Sequence, residues 1–325
     1  MTDVLGFGVV SIDEVLYVER QPPADGKTAV LDWFRRCGGL TGMALQAAAR
    51  LGSVARYAGC LGDDELSLQA LEMLAEAGVD VSTISRIPDA RPYHSVVVVD
   101  TTNQTRTILF DGRGSVGAHP SLPPAETIAQ ARVILVDGHG LEGMVRAIDI
   151  GRAAGAAILG DFESPSRDAI DRLLPLVDHL IVSAGTAHNV TGSGDPAAAV
   201  RLLWRPDRKC VAVTHGAAGV WYTHADAAGD VFHLPAYPVQ AVDTTGCGDV
   251  FHGAYAHAIA RDRSPESAIR FASAAAAAMA MRGGPDRLPP DRTTVESILT
   301  SATGPLARAV GSGEAVSSAE IGPHM

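Results

Sequence analysis

The chain has 325 residues, 46% of them hydrophobic, and a formal net charge of −11. That length and apolar content specify a folded protein of one large or two smaller domains and exclude a disordered chain. The acidic balance argues against sequence-independent nucleic-acid binding, and the longest apolar run, 272–281, is too short to cross a bilayer.

In chain order, residues 4–10 are an apolar run that predicts a buried strand. Residues 15–18 and 28–34 read as short strands separated by a Pro- and Gly-containing segment, 21–27. A Gly-led helix is expected over 38–51, a strand over 56–61 and a helix over 67–77 ending at Gly78. The β-rich runs 93–100 and 105–110 flank Thr101-Thr-Asn-Gln104 and predict a hairpin. Strands are then expected at 133–136, 157–159, 179–182 and 211–214, with helices such as 143–154 and 196–204 between them. This alternation implies a parallel sheet covered on both faces. The strand-like segments 14–36 and 90–115 interrupt it and are read as a small β lid on an α/β core made of 1–13, 37–89 and 116–310. The Ser-, Gly- and Ala-rich segment 311–325 reads as a flexible tail.

The four cysteines, Cys37, Cys60, Cys210 and Cys247, include no Cys-x-x-Cys pair, and the histidines no His-x-x-x-His pair. Neither a zinc site nor a redox pair is indicated, and reduced thiols in the cytoplasm are expected. The opening Met-Thr-Asp-Val-Leu has no basic region of the signal-peptide kind.

The most specific stretch is Asp243-Thr-Thr-Gly-Cys-Gly-Asp249, followed by apolar residues at helical spacing: Val250, Ala254 and Ala258, and Phe251, Tyr255 and Ile259. A glycine-rich turn feeding a helix N-terminus presents unpaired N–H groups and the positive end of the helix dipole, which together hold an anion. A carboxylate beside such a site is costly unless it has a task, and accepting a proton from an attacking hydroxyl is the natural one. The plain alternative is a first-turn acid. Gly38-Gly-Leu-Thr-Gly-Met43 places a second glycine pair before a helix, either for close backbone approach or simply ahead of a core helix. Asp13, after the first strand, is either a hydroxyl acceptor or a turn residue.

These motifs, with Val213-Thr-His-Gly-Ala-Ala-Gly-Val220, Phe271-Ala-Ser273 and Arg282-Gly-Gly284, resemble those of the ribokinase-like, or phosphofructokinase B type, carbohydrate kinases. The resemblance covers roughly residues 4–290 and is strongest to the ketose-acting members, sulfofructose kinases among them. It implies a three-layer α/β/α domain with a mainly parallel central sheet and a small β-sheet lid. It implies ATP and Mg²⁺ as cofactors, with K⁺ as a further candidate, a sugar substrate, and a homodimer formed through the lid. Asp249 would be the general base, with Gly246, Cys247 and Gly248 forming the anion hole. Asp13, Lys27, Gly38, Gly39, Met43, Phe110 and His139 would face the sugar. Thr214, Gly216, Gly219, Thr244, Ser273 and Gly283 would serve the nucleotide.

Two positions depart from the family pattern. Met43 stands where an Asn is usual, and Ser183-Ala-Gly-Thr186 replaces an Asn-x-x-Glu motif that helps organise Mg²⁺. The metal is then expected on the ATP phosphates and water, with Asp161 as the one candidate side chain or else a plain strand-end residue. The expected reaction is phosphoryl transfer from MgATP to a primary hydroxyl of a ketose or a related, acidic sugar. A nucleoside kinase and a non-catalytic binder of the same fold are the alternatives.

Overall fold

The computed structural model describes residues 1–310 except 104, 115, 116, 164, 165, 228, 285, 286 and 301–304; the expected tail lies outside the described residues. A nine-stranded sheet runs through the molecule. Its parallel part contains β1 (Thr2–Phe7), β4 (Ala55–Tyr57), β9 (Ala131–Val136), β10 (Ala157–Asp161), β11 (His179–Ser183) and β12 (Cys210–Thr214), ordered β4-β1-β9-β10-β11-β12. Beyond β12 the sheet turns antiparallel, through β13 (Val220–His224), β14 (Val231–Leu234) and β15 (Arg308–Val310).

Because both faces of the parallel part are covered, apolar residues run consecutively through the middle of its strands rather than alternating. Val4, Leu135, Leu159, Ile181 and Ala212 point into one core, against α1 (Leu40–Arg50), α8 (Cys247–Ile259) and α9 (Pro265–Ala280). Leu5, Ile134, Ile158, Leu180 and Val211 point into the other, against α4 (Leu141–Ala153), α5 (Arg167–Leu173) and α7 (Pro196–Leu203). The other α-helices among the described residues are α2 (Glu65–Glu76), α3 (Ala125–Ile128), α6 (Ala184–Thr191) and α10 (Arg292–Leu299). The caps follow the sequence: Asp64 accepts from the N–H groups of Leu66 and Ser67 at α2, which makes the Gly62-Asp-Asp64 turn a helix start.

The expected strand over 56–61 is divided. β4 ends at Tyr57, and Cys60–Leu61 form a separate strand, β5, paired with β6 (Ser85–Arg86).

The remaining strands make a second sheet, ordered β3-β2-β7-β8, from β2 (Ser11–Val18), β3 (Val30–Gly38), β7 (Tyr93–Asp100) and β8 (Thr105–Asp111). β7 and β8 are antiparallel, as the hairpin reading requires. This sheet begins earlier than the sequence suggests: Ser11–Asp13 and Cys37–Gly38, read as core, are strand residues paired across β2 and β3. Register sets Asp13, Val15, Phe34 and Arg36 on one face of it and Glu14, Leu16, Trp33 and Arg35 on the other. The first face covers the ends of β1 and α1 and bears the residues of the site.

Candidate active site

α8 begins at Cys247, with Gly246 as its N-cap in the left-handed region at φ 74°, a conformation that excludes most side chains. Among the described residues no side chain caps this terminus, and Cys247 N donates to Thr244 O at 3.3 Å; an uncapped helix start of this kind can meet a ligand with its remaining N–H groups. Asp243 shapes the loop before it: one carboxylate oxygen accepts from Thr245 N at 2.8 Å. Asp249 lies on the first turn of α8. Its pKa is raised well above the ordinary carboxylate range by burial, and then by the negative charges of Asp161, Glu163 and Asp13, with His252 opposing. Asp13, on β2 of the second sheet, is thereby within electrostatic reach of Asp249 on α8.

Asp13 accepts from Ser11 Oγ at 2.7 Å through Oδ1. Its Oδ2 lies over Gly38, where an added Cβ would stand 2.2 Å away, so only glycine permits this approach. Gly39 caps α1 without a side-chain bond. Opposite Asp13 on β3 stands Arg36, its Nε 3.8 Å from Asp13 Oδ2. Arg36 is 10% exposed at the side chain, and its Nε and Nη1 have no hydrogen-bond partner among the described residues. A half-satisfied guanidinium beside a half-satisfied carboxylate suits a polyol: one hydroxyl donates to Asp13 while a neighbouring oxygen accepts from Arg36.

Met43, the departure from the family Asn, is 3% exposed and packs toward the loop; a Cβ on Gly246 would lie 3.6 Å from its Cγ. It supports the anion loop by packing and offers no hydrogen bond. The β9 end contributes Asp137, fully buried, which accepts from Val9 N at 2.6 Å, Thr41 Oγ1 at 3.0 Å and the His139 ring at 3.1 Å. Burial lowers the His139 pKa, but the hydrogen bond and charge of Asp137 raise it more, and it ends above its ordinary value. Tyr93 meets the His139 ring edge-on at 5.8 Å and stacks on Phe110 at 5.8 Å, so Phe110 and His139 belong to one aromatic wall. Phe110 is 67% exposed.

Asp161 ends β10 and is buried. Its Oδ2 lies 3.2 Å from His252 Nδ1 and has no hydrogen-bond partner. Burial, Asp137 and Glu163 raise its pKa well above the usual carboxylate range. The His252 ring is fixed between the carbonyls of Gly248 at 2.9 Å and Ile181 at 3.0 Å, and burial lowers its pKa. Among the described residues no three side chains of the His, Cys, Asp and Glu types gather to hold a metal. The orphaned Asp161 Oδ2 fits a cation held mainly by other ligands and reached through water. Ser183, in place of the family Asn, caps α6 by accepting from Thr186 N at 3.1 Å.

The Cys247 thiol is pushed up to about 11, chiefly by burial, so it stays protonated in the loop. Thr244 accepts from Arg106 Nη1 of β8 at 3.3 Å, a direct tie between the second sheet and the anion loop. Thr214, Gly216 and Gly219 lie together at the β12–β13 turn, Ser273 is within α9, and Gly283 follows α9 and packs against Val242. Lys27 is exposed in the β2–β3 connection, with no ion pair among the described residues. Sequence reading missed Arg36, Asp137, His252 and Arg287. Only His252 lies within the singled-out stretch, in the helix after Asp249, and each of the four acquires its place through a partner distant in sequence.

Comparison with known proteins agrees with this geometry. The profile of the pfkB family carbohydrate kinases matches residues 1–292, and the chain belongs to that family. Fructokinase-1 of Oryza sativa subsp. japonica is 31% identical over 92% of this chain and 98% of its own. The ribokinase of Haemophilus influenzae is 27% identical over 77% of this chain and 83% of its own. The Arabidopsis thaliana ribokinase, solved with ribose and ATP, superposes with a TM-score of 0.75 at 22% identity, over 92% of this chain and 99% of that one, a likeness of fold. The protein is a carbohydrate kinase of the ribokinase type, with the α/β fold the motifs imply.

Proposed function

We propose that this kinase transfers the γ-phosphoryl group of ATP to a primary hydroxyl of a ketose or a related sugar, with Asp249 as general base. The observation that carries the reading is the position of Asp249: a half-buried carboxylate on the first turn of α8, at a helix N-terminus that no side chain caps among the described residues, and within electrostatic reach of Asp13. Asp13 and Arg36 orient the sugar, with the Gly38–Gly39 backbone beneath it, and the aromatic wall of Tyr93, Phe110 and His139 borders it. Asp249 takes the proton of the attacking hydroxyl, and its raised pKa brings it nearer the working range of a base at neutral pH. The N–H groups of Gly246, Cys247 and Gly248 stabilise charge on the transferred group, and the rest is positioning. Bound Mg²⁺ would neutralise phosphate charge, held by phosphates and water with Asp161 in its outer sphere. The nucleotide would extend along Thr244 toward Thr214, Gly216, Gly219, Ser273 and Gly283.

An acidic group on the sugar would find its donor in Arg36 rather than in the exposed Lys27. A nucleoside acceptor is the second reading, favoured by the stacked and exposed Tyr93–Phe110 pair. The second sheet acts as a lid over the sugar and excludes water. Its outer face exposes Trp33 by 60% and Leu109 by 61%, and we assign that face to a homodimer. All four cysteines are free, which fits a reducing cytoplasm. ADP release measured across ketoses, acidic sugars and nucleosides, with Asp249→Asn alongside, tests the reading. Turnover of one sugar that vanishes in the variant supports it; turnover of nucleosides alone selects the second reading.

A further inference from the structure

Arg287 follows α9 in sequence, outside every motif noted above, and its side chain is fully buried. Three backbone carbonyls converge on its guanidinium. Nη2 donates to Asp243 O at 2.6 Å and to Met279 O at 3.5 Å, and Nε donates to Arg282 O at 2.8 Å. Nη1 lies 3.4 Å from the carboxylate Oδ2 of the same Asp243. Asp243 opens the anion loop and fixes it through Thr245 N. Its own N–H donates to Ala280 O at 3.2 Å, so Arg287 and the end of α9 hold the loop from one side.

Carbonyl oxygens with one carboxylate, closed from water, are the donor set an alkali-metal ion takes. Here a side-chain cation occupies it. A buried charge must be paired to be tolerated, and this one is paired by the oxygens that shape the loop. We infer that Arg287 is a built-in cation that stands in for a monovalent metal ion beside the anion loop, so the protein binds its nucleotide without K⁺. Arg287 is a positioning residue: it acts through Asp243 on the N–H groups of residues 246–248 and does not touch the reacting atoms. The K⁺ candidate raised by family resemblance has no oxygen set left to it at this place.

The inference rests on the kinase reading for the task of the loop, so its test does not depend on turnover. MgADP affinity would be measured by calorimetry with K⁺, Na⁺ or tetramethylammonium as the only monovalent cation, at matched ionic strength. The wild type is expected to bind equally in all three, within about twofold. A loss of about tenfold or more on replacing K⁺ by tetramethylammonium would overturn the inference. Thermal midpoints in the same salts give a second readout that needs no nucleotide. The wild type should be indifferent to K⁺, whereas Arg287→Met, with the oxygens vacated, should be stabilised by K⁺ over tetramethylammonium. An Arg287→Met protein that folds, binds MgADP as tightly as the wild type and ignores K⁺ would sink the idea. If that variant does not fold, Arg287→Lys decides: it keeps the charge and should retain MgADP affinity without K⁺, and a requirement for K⁺ in it or in the wild type refutes the proposal. Failure to bind MgADP in any salt, with the midpoints as expected, would count against the kinase reading alone.

Discussion

Asp13 and Arg36 are register partners on adjacent antiparallel strands, with Arg36 Nε 3.8 Å from Asp13 Oδ2, and Arg36 Nε and Nη1 keep unused hydrogen-bonding capacity among the described residues. A stable ion pair would have closed that gap. The pair is therefore expected to be completed by substrate. Arg36→Met should raise KM for the sugar by roughly 10- to 100-fold, the value of a charged hydrogen bond, with a smaller effect on the KM for ATP. Equal losses for both substrates would refute this role.

Asp249→Asn should lower kcat by about 10²- to 10⁴-fold and leave ATP binding intact. The same change should raise the thermal midpoint at neutral pH. The raised pKa of Asp249 means that its ionised form is a burden on the folded state, and the amide removes that burden. A variant that keeps turnover within about tenfold of the wild type disproves the base assignment.

The pH profile carries a signed test. A base works ionised, so kcat/KM should fall as the pH drops through the raised pKa of Asp249, above the ordinary carboxylate value. Asp161 is the largest charge raising that pKa. Asp161→Asn should move the acid limb to lower pH, and a limb that stays in place or moves up contradicts the coupling.

Stability should also respond to acid, for a different reason. Burial depresses His179 to about 4 and His257 to about 3. Unfolded imidazoles titrate near ~6.5 and take up protons that these folded ones refuse. The stabilisation is present above the unfolded value and is lost as the pH falls toward 4 and then 3. Urea midpoints measured downward from neutrality should therefore decline through this window, and a flat profile would show that the two rings are not buried neutral.

The outer face of the second sheet is expected to bury Trp33 and Leu109 against a second copy. Sedimentation should find a dimer for the wild type and a monomer for the Trp33→Glu, Leu109→Glu protein. A wild type that sediments as a monomer at assay concentrations removes the assignment.

Much of this was legible in the residues themselves. The glycines and acid of Asp243–Asp249 carry their chemistry locally, because a helix N-terminus forms its N–H cluster from consecutive residues. The apolar runs of β1, β9, β10, β11 and β12 announce a sheet covered on both faces for the same local reason. The hairpin of β7 and β8 is announced by its turn and its alternation. The pairing of β15 with β14 was illegible, since β15 has 3 residues and its partners lie 75 to 79 positions earlier. Sequence alone determined the glycine-rich loop, the acid at the start of the helix it feeds and the α/β core, all properties of contiguous segments. Only the tertiary structure decided that Arg36 faces Asp13, that His252 lies against Asp161, and that Arg287 fills the oxygens behind Asp243. A buried charge is given its partner by packing between distant elements, and no spacing along the chain records that choice.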